Sequence, residues 1–428
     1  MEFRASGPLR GALRVPGDKS ISHRALICAA MALGRTRIEG LSEGGDVAAT
    51  ASALRAMGVR IDRDGAGWTV DGVGSGGLLQ PKGALDLGNS GTSARLLAGL
   101  IASNPIGAIL TGDESLSRRP MERVAAALRR IGAELATAPG GGLPLAIRGL
   151  CPAVPATHRI GVPSAQVKSA LLLAALNIPG LTRIVEPVPT RDHSERMLKL
   201  FGADIEAGGR EIVLRGEAEL KPQRLVVPGD ASAAAFLAVA ALIVPGSELR
   251  IEGVGVNPLR TGFYDVLRRM GADLTFENRR EQSGEPVADL CVRHSALRAV
   301  DVLPELVPSM IDEFPIFFIA AAFADGISRA SGLGELRLKE SDRIAAMVAG
   351  LDSIAPKAEA QGDAVLVRGF PGGPLAGGVT IDPKLDHRVA MSFAVAGLHS
   401  RQPVTVADMR PADTSFPGFA ALLAELAR

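Results

Sequence analysis

Apolar positions along this chain come in two textures. One is an Ala- and Leu-rich run with almost no polar face. It appears as ALICAAMAL (25–33), ARLLAGLIA (94–102), SALLLAAL (169–176), AAAFLAVAAL (233–242), PIFFIAAAFA (315–324) and VAMSFAVAGL (389–398). A helix that is apolar on every side is buried on every side, so these runs predict interior helices. The other texture is amphipathic and ends in L-x-x-[MIF]-G: LRAMGV (54–59), LRRIGA (128–133), LKLFGA (198–203) and LRRMGA (267–272). The closing glycines Gly58, Gly132, Gly202 and Gly271 lie 74, 70 and 69 residues apart. Each fits the C′ position, where a helix needs a left-handed residue. A β-like stretch such as VRI or ADL follows each tail. Degraded tails at VAGLDSI (348–354) and ALLAELA (421–427) complete the pattern. The sequence therefore reads as six units of roughly 65–85 residues, each a buried helix, strand, amphipathic helix and strand.

A doubly wound parallel sheet covers itself with helices that keep a polar face. Interior helices suit a different α/β arrangement: two domains of three units each, helices inside and sheets outside. The predicted seams are Pro16-Gly17 and Pro228-Gly229, Pro-Gly pairs that each precede an Asp and signal turns. They divide the chain into a discontinuous domain, 1–16 plus 229–428, and an inserted domain, 17–228.

Composition narrows the function classes. The chain has 428 residues, a formal net charge of +1, 47% apolar and 22% charged residues. Neutrality excludes the basic footprint of a nucleic-acid binder. So apolar a chain with so little net charge is not disordered. Cys28, Cys151 and Cys291 are too few and too scattered for a disulfide framework or a thiolate metal site. Cys28, inside an Ala/Leu run, is expected to be buried. Among the His, Cys and carboxylate residues no metal-ligand spacing occurs, and the adjacent pairs Asp192-His193 and Asp386-His387 do not easily face one ion. MEFRASGPLRG, at the start, carries no apolar signal region. The uncharged stretch from Ala231 to Ser247 contains Pro245-Gly246 and falls short of the about 20 apolar residues of a membrane span. A cytoplasmic protein without a membrane partner is expected.

The candidate chemistry stands in front of the buried helices: GDKSISHR (17–24), GNSGTSAR (88–95), PSAQVKS (163–169), PGDASA (228–233), SMIDEFP (309–315) and LDHR (385–388). Ser, Asp and Asn are expected there as N-caps. Lys19, Arg24, Lys168, His387 and Arg388 are not, because cations oppose the helix dipole. They become reasonable if an anion sits between them and the free backbone N–H groups. Ordinary capped helices with chance cations are the plain alternative for any one of them. The amphipathic helices also begin with charge: DESLSRRPMER (113–123), TRDHSER (190–196), NPLRTGF (257–263) and LKESDR (338–343). Lys339 and Arg343 share a face, as do Arg119 and Arg123. Alone, such a pairing is a solvated helix start worth a few tenths of a kcal/mol. Together, these segments describe a cationic site with two carboxylate candidates, Asp312 and Glu340. That suits a substrate pair with several negative charges including phosphate, for which Arg supplies forked donors. GALRVPGDKS (11–20) looks like a P-loop, but Asp18 stands where Gly should precede the Lys.

PGDKSISHRAL, GNSGTSAR, GDESLSRRPMERV, SAQVKSALLLAALN, TRDHSERML, the DE of IDEFP, LKESDR and LDHRVAMSF together resemble the 5-enolpyruvylshikimate-3-phosphate synthase family, in order and over essentially the whole chain. The DKSISHR and SAQVKS forms resemble a bacterial subgroup that includes glyphosate-tolerant enzymes. The resemblance implies the enolpyruvyl transferase fold, two domains each of three βαβαββ units, with the active site in the cleft between them. It implies transfer of the enolpyruvyl group of phosphoenolpyruvate to the 5-hydroxyl of 3-phosphoshikimate, on the shikimate pathway to chorismate. It implies no metal and no organic cofactor, glyphosate as an inhibitor, and a monomer.

By position, the resemblance implies that Lys19 contacts both substrates. Ser20 and Arg24 would hold 3-phosphoshikimate. Ser164, Ala165 and Gln166 would line its phosphate and ring, with Gln166 reaching phosphoenolpyruvate, and Arg191 would lie near the phosphate. Gly91, Arg119, Arg343 and Arg388 would bind phosphoenolpyruvate. Asp312 would bind the shikimate hydroxyls and act as base, Lys339 would assist there, and Glu340 would deliver the proton. The hydroxyl loses a proton while the enol methylene gains one, and elimination reverses this and expels phosphate. Two carboxylates can share these duties when their surroundings separate their proton affinities. Domain closure would exclude water, and an open ligand-free form is expected because crowded cations repel.

Two departures stand out. Many family members carry a Lys in the closing A-K-T-F-P segment, where this chain has DTSFPGF with Thr414 in that place. Tolerant members of the subgroup carry Ala where this chain has Gly91, so room for glyphosate is expected. The nearest rival is UDP-N-acetylglucosamine enolpyruvyl transferase, which carries a Cys shortly before an Arg-Pro pair. Here DESLSR precedes Arg119-Pro120, without a Cys.

Overall fold

The computed structural model describes every residue except 6, 66, 356, 427 and 428, so the last residue of the final degraded tail lies outside it. The chain forms two compact units. The first comprises Met1–Pro16, Pro228–Glu281 and Pro286–Arg428, and the second Gly17–Val227 with Gln282–Glu285. Two details correct the boundaries read from sequence. Pro228 goes with the first unit. Residues 282–285, the turn of a long hairpin, go with the second. There Val226 donates its backbone N–H to Ser283 Oγ at 2.9 Å, Gln282 donates to the Val226 carbonyl at 3.2 Å, and Glu285 pairs with His193 at 2.7 Å.

Each of the six apolar runs is an interior helix: α1 (Lys19–Met31), α2 (Gly91–Ala102), α3 (Ala165–Ala175), α4 (Ala231–Ile243), α5 (Phe314–Ala322) and α6 (His387–Gly397). Every residue of α4 and α5 is buried, as an all-apolar surface requires. Five are capped by a side chain: Asp18, Ser90, Ser164, Asp230 and Asp386 each accept a backbone N–H from the first turn. The exception is α5, preceded by Glu313 and carrying Pro315 in its first turn, where no backbone donor is needed. α2 and α3 pack closely, and a Cβ on Gly99 would stand 2.1 Å from the Ala170 carbonyl oxygen.

The sheets follow a common plan. In the second repeat Leu85–Asp86 pairs parallel with Gly107–Thr111, which pairs antiparallel with Leu145–Arg148, itself in a hairpin with Glu134–Thr137. With α2 and the helix Glu122–Arg129 this is one βαβαββ unit. The outer face is wet: along Leu145–Arg148 the odd positions are buried and the even ones exposed. In the first repeat the outer strand comes from far along the chain, Arg224–Val226 pairing parallel with Arg37–Glu39. The sixth repeat is reduced to Glu2–Phe3, Val404–Val406 and Val379–Ile381. The amphipathic helices close as the tails foretell, with Gly58, Gly132, Gly202 and Gly271 at φ of 91°, 97°, 92° and 90°. Each unit has its own apolar core. Among the described residues no helix is long and apolar enough to cross a membrane.

Candidate active site

The charged residues singled out above collect into two groups, one per unit. The second unit builds its group on the starts of α1, α2 and α3. Asp18 caps α1, accepting the Ile21 N–H at 2.9 Å, and this sets Lys19 and Ser20 on the first turn. Lys19 Nζ lies 2.9 Å from Asp46 Oδ2. Arg24, one turn further, is almost fully buried. It donates from Nε to Ser194 Oγ at 2.7 Å, from Nη1 to the Ser20 carbonyl at 2.8 Å and from Nη2 to Ser169 Oγ at 2.6 Å. Burial lowers its proton affinity, and Glu195 and Asp18 counter this while Arg191 adds to it. Glu195 and Asp18 act on Arg24 more strongly than Arg191 does.

The Gly91 loop gathers the rest of this group. Arg119 donates to Asn89 Oδ1 and, at 3.1 Å, to Ser115 Oγ. Arg95 donates to the Gly91 carbonyl, to Gln166 Oε1 and to the Pro120 carbonyl, each at 3.1 Å. Gln166 in turn donates to Thr92 Oγ1 at 2.9 Å, tying α3 to α2. Ser164 caps α3 and Ala165 is its first residue. A Cβ on Gly91 would meet Arg95 Nη1 at 2.8 Å and Arg119 Nη1 at 3.0 Å, so both guanidinium groups crowd this glycine.

In the first unit, Arg343 is the hub. Only 1% of its side chain is exposed, yet it touches three carboxylates: Asp386 at 2.8 Å, Glu340 at 2.6 Å and Asp312 at 3.5 Å. Burial works against its charge, but Asp386, Glu340 and Asp312 outweigh it and raise its pKa. Lys339 Nζ approaches Asp312 Oδ1 to 3.6 Å. Arg388 Nη1 donates to the Asp312 backbone carbonyl at 3.0 Å. Asp386 caps α6 by accepting the Arg388 N–H at 2.9 Å. So Asp312, Lys339, Glu340, Arg343, Asp386 and Arg388 form one cluster, with three carboxylates on the Arg343 guanidinium.

One cation departs from the reading above. Lys168, at the start of α3, lies 2.9 Å from Glu186 and 2.8 Å from Glu195 and donates to the Thr190 carbonyl at 3.0 Å, so carboxylates rather than an outside anion account for it. Thr414 donates its hydroxyl to the Pro411 carbonyl at 2.8 Å. Asp46, Asn89, Arg95 and Thr92 belong to the groups although sequence reasoning assigned them no role. Asn89, Thr92 and Arg95 lie within GNSGTSAR, and a motif does not say which members turn inward. Among the described residues no group of three or more His, Cys, Asp or Glu is placed to hold a metal ion.

The family described as EPSP synthase (3-phosphoshikimate 1-carboxyvinyltransferase) matches residues 3–423. The chain belongs to the EPSP synthase family. Its relatives include the 3-phosphoshikimate 1-carboxyvinyltransferase of Sphingopyxis alaskensis, 58% identical over 99% of this chain and 97% of that one. The enzyme of that name from Novosphingobium aromaticivorans is 56% identical over 100% and 99%. Among solved structures, the EPSP synthase of Acinetobacter baumannii superposes with a TM-score of 0.88 at 43% identity, covering 99% of this chain and 97% of that one. The enolpyruvyl transferase NikO of Streptomyces tendae, at 20% identity and a TM-score of 0.78, shares the fold.

Proposed function

We propose that this chain transfers the enolpyruvyl group of phosphoenolpyruvate to the 5-hydroxyl of 3-phosphoshikimate and releases inorganic phosphate. The observation that carries the reading is Arg343, which holds Glu340 at 2.6 Å and Asp312 at 3.5 Å on one buried guanidinium. Asp312, with Lys339 beside it, takes the proton of the attacking hydroxyl. The hydroxyl oxygen bonds to C2 of phosphoenolpyruvate while Glu340 protonates C3, giving a tetrahedral intermediate. Glu340 then takes a proton back from the new methyl group, the C2–O bond to phosphate breaks, the enol double bond reforms, and the proton held by Asp312 passes to the departing phosphate. Each positioned proton transfer contributes about 10²–10⁴-fold.

In this reading the residues of each group bind the substrates. Lys19, Ser20, Arg24, Ser164, Ala165, Gln166 and Arg191 hold 3-phosphoshikimate. Gly91, Arg119, Arg343 and Arg388 hold phosphoenolpyruvate, with Lys19 and Gln166 reaching both substrates. Cations aimed at the departing phosphate stabilise the charge that develops there. Glyphosate competes with phosphoenolpyruvate, and the protein works as a cytoplasmic monomer.

UDP-N-acetylglucosamine is not favoured as acceptor, because the loop 113–118 offers no cysteine. Phosphate release measured with phosphoenolpyruvate and each acceptor tests the reading. Turnover with 3-phosphoshikimate alone is expected; turnover only with the nucleotide sugar overturns it. Sedimentation of the pure protein tests the monomer.

A further inference from the structure

Directly behind Asp312 the first unit buries a second set of charges that the transfer reaction leaves unused. Glu313, at 1% exposure, has Arg260 Nη1 at 2.8 and 2.9 Å from its two oxygens. Arg260 Nη2 donates to Ser232 Oγ and lies 3.6 Å from Asp230 Oδ1, the cap of α4, while Ser232 Oγ donates back to Glu313. A second guanidinium is within reach of the same carboxylate. Arg388 Nη1 stands 3.7 Å from Glu313 Oε1, but its hydrogen bond goes to the Asp312 carbonyl at 3.0 Å. Glu313 thus has two arginines near it and is bonded to Arg260.

We propose that Arg260 is a positioning residue for phosphoenolpyruvate binding: by saturating Glu313 it stops Arg388 from closing onto that carboxylate and keeps the Arg388 guanidinium available to an anion. A buried carboxylate cannot stay unpartnered, and a charge-assisted bond to arginine is its strongest remedy. Were Arg260 absent, Arg388 would need to move less than 1 Å from its 3.7 Å distance to supply that bond. It would then face inward, and its hold on the peptide of Asp312 would loosen. Arg260 comes from NPLRTGF, at the start of an amphipathic helix, and touches neither substrate in the reading above, on which this inference rests.

The test is steady-state kinetics on Arg260→Met, Glu313→Gln and the double variant. Arg260→Met is expected to raise the KM for phosphoenolpyruvate about tenfold, with kcat and the KM for 3-phosphoshikimate within about threefold of the parent. Glu313→Gln removes the charge that would capture Arg388, so adding it to Arg260→Met should bring the phosphoenolpyruvate KM back to within about threefold of the parent. A merely structural role would move all constants together and show no such recovery. If Arg260→Met does not fold, Arg260→Lys, with a single donor head, should show the same selective rise at about threefold. An unmoved phosphoenolpyruvate KM, or no recovery in the double variant, overturns the inference while the parent remains active. A parent that releases no phosphate overturns the functional reading and this inference together.

Discussion

Arg343 Nε donates to Asp386 Oδ2 at 2.8 Å, with the two side chains 1% and 0% exposed. Asp386 also caps α6, so one carboxylate fixes both the helix that carries Arg388 and the hub that carries Glu340. Removing one partner of a buried pair leaves the other charge uncompensated, which costs about 3–5 kcal/mol. Arg343→Met should lose that much stability together with all measurable turnover. Denaturant unfolding checks it, and a loss under about 1 kcal/mol would contradict the buried-hub description.

Glu340→Gln keeps the shape of the side chain and its contact with Arg343 but cannot donate or accept the same proton. It should lower kcat about 10²–10⁴-fold while leaving 3-phosphoshikimate affinity within about threefold. Turnover and equilibrium binding measured on one preparation decide this. Affinity falling in step with kcat would remove Glu340 from the proton-transfer role.

Gly91→Ala places a methyl group 2.8 Å from Arg95 Nη1 and 3.0 Å from Arg119 Nη1. Both are ends of flexible side chains, so the fold should tolerate the change within about 1 kcal/mol. The guanidinium groups must give way, and the space for an inhibitor shrinks. The inhibition constant for glyphosate should rise at least about tenfold more than the KM for phosphoenolpyruvate. Equal shifts would place Gly91 away from the inhibitor.

Two buried histidines predict the acid limb of the stability curve. Burial holds His23 well below its ordinary pKa, helped by Lys19 and Arg24, and burial with Arg130 lowers His158 to about 4. The unfolded chain binds these protons near pH 6.5 and the folded chain does not, so stability is full above about 6.5 and falls as pH drops from there towards 4. Each histidine adds up to about 1.4 kcal/mol per pH unit to that slope. Unfolding midpoints of His158→Gln against the parent between pH 7 and 5 should show a shallower decline; identical slopes would argue against a neutral buried His158.

Lys168→Met should be more damaging than its position at the start of α3 suggests. It leaves Glu186 and Glu195 buried without their shared cation, a loss of about 3–5 kcal/mol. Thermal unfolding measures this, and Glu195→Gln added to Lys168→Met should recover part of it. No recovery would mean that the lysine contributes packing rather than charge.

Much of this fold was legible in the chain, for a physical reason: α4 and α5 have no polar face at all, and such a segment has one place to go. The closing glycines were equally clear, because positive φ near 90° at Gly58 and Gly271 excludes most other residues. What stayed hidden depends on partners brought from afar. Arg224–Val226 is three residues long and gives no local hint that it pairs with Arg37–Glu39. Lys168 has the address of an anion ligand, and only its neighbours Glu186 and Glu195 reveal it as the middle of a buried ion triplet. Arg260 and Glu313 sit in segments noticed for their charge, yet nothing local pairs them.

The pairing of Arg224–Val226 with Arg37–Glu39 makes the inserted unit end where it begins. Val227 hydrogen-bonds to the Glu39 carbonyl at 2.9 Å, and the backbone at Gly17 passes so near Gly40 that a Cβ there would stand 1.8 Å from its oxygen. Entry and exit are neighbours, so the stretch from Gly17 to Val227 behaves like a bead threaded on a string. It can be spliced into a host loop at little entropic cost, borrowing only the four residues Gln282–Glu285 from elsewhere.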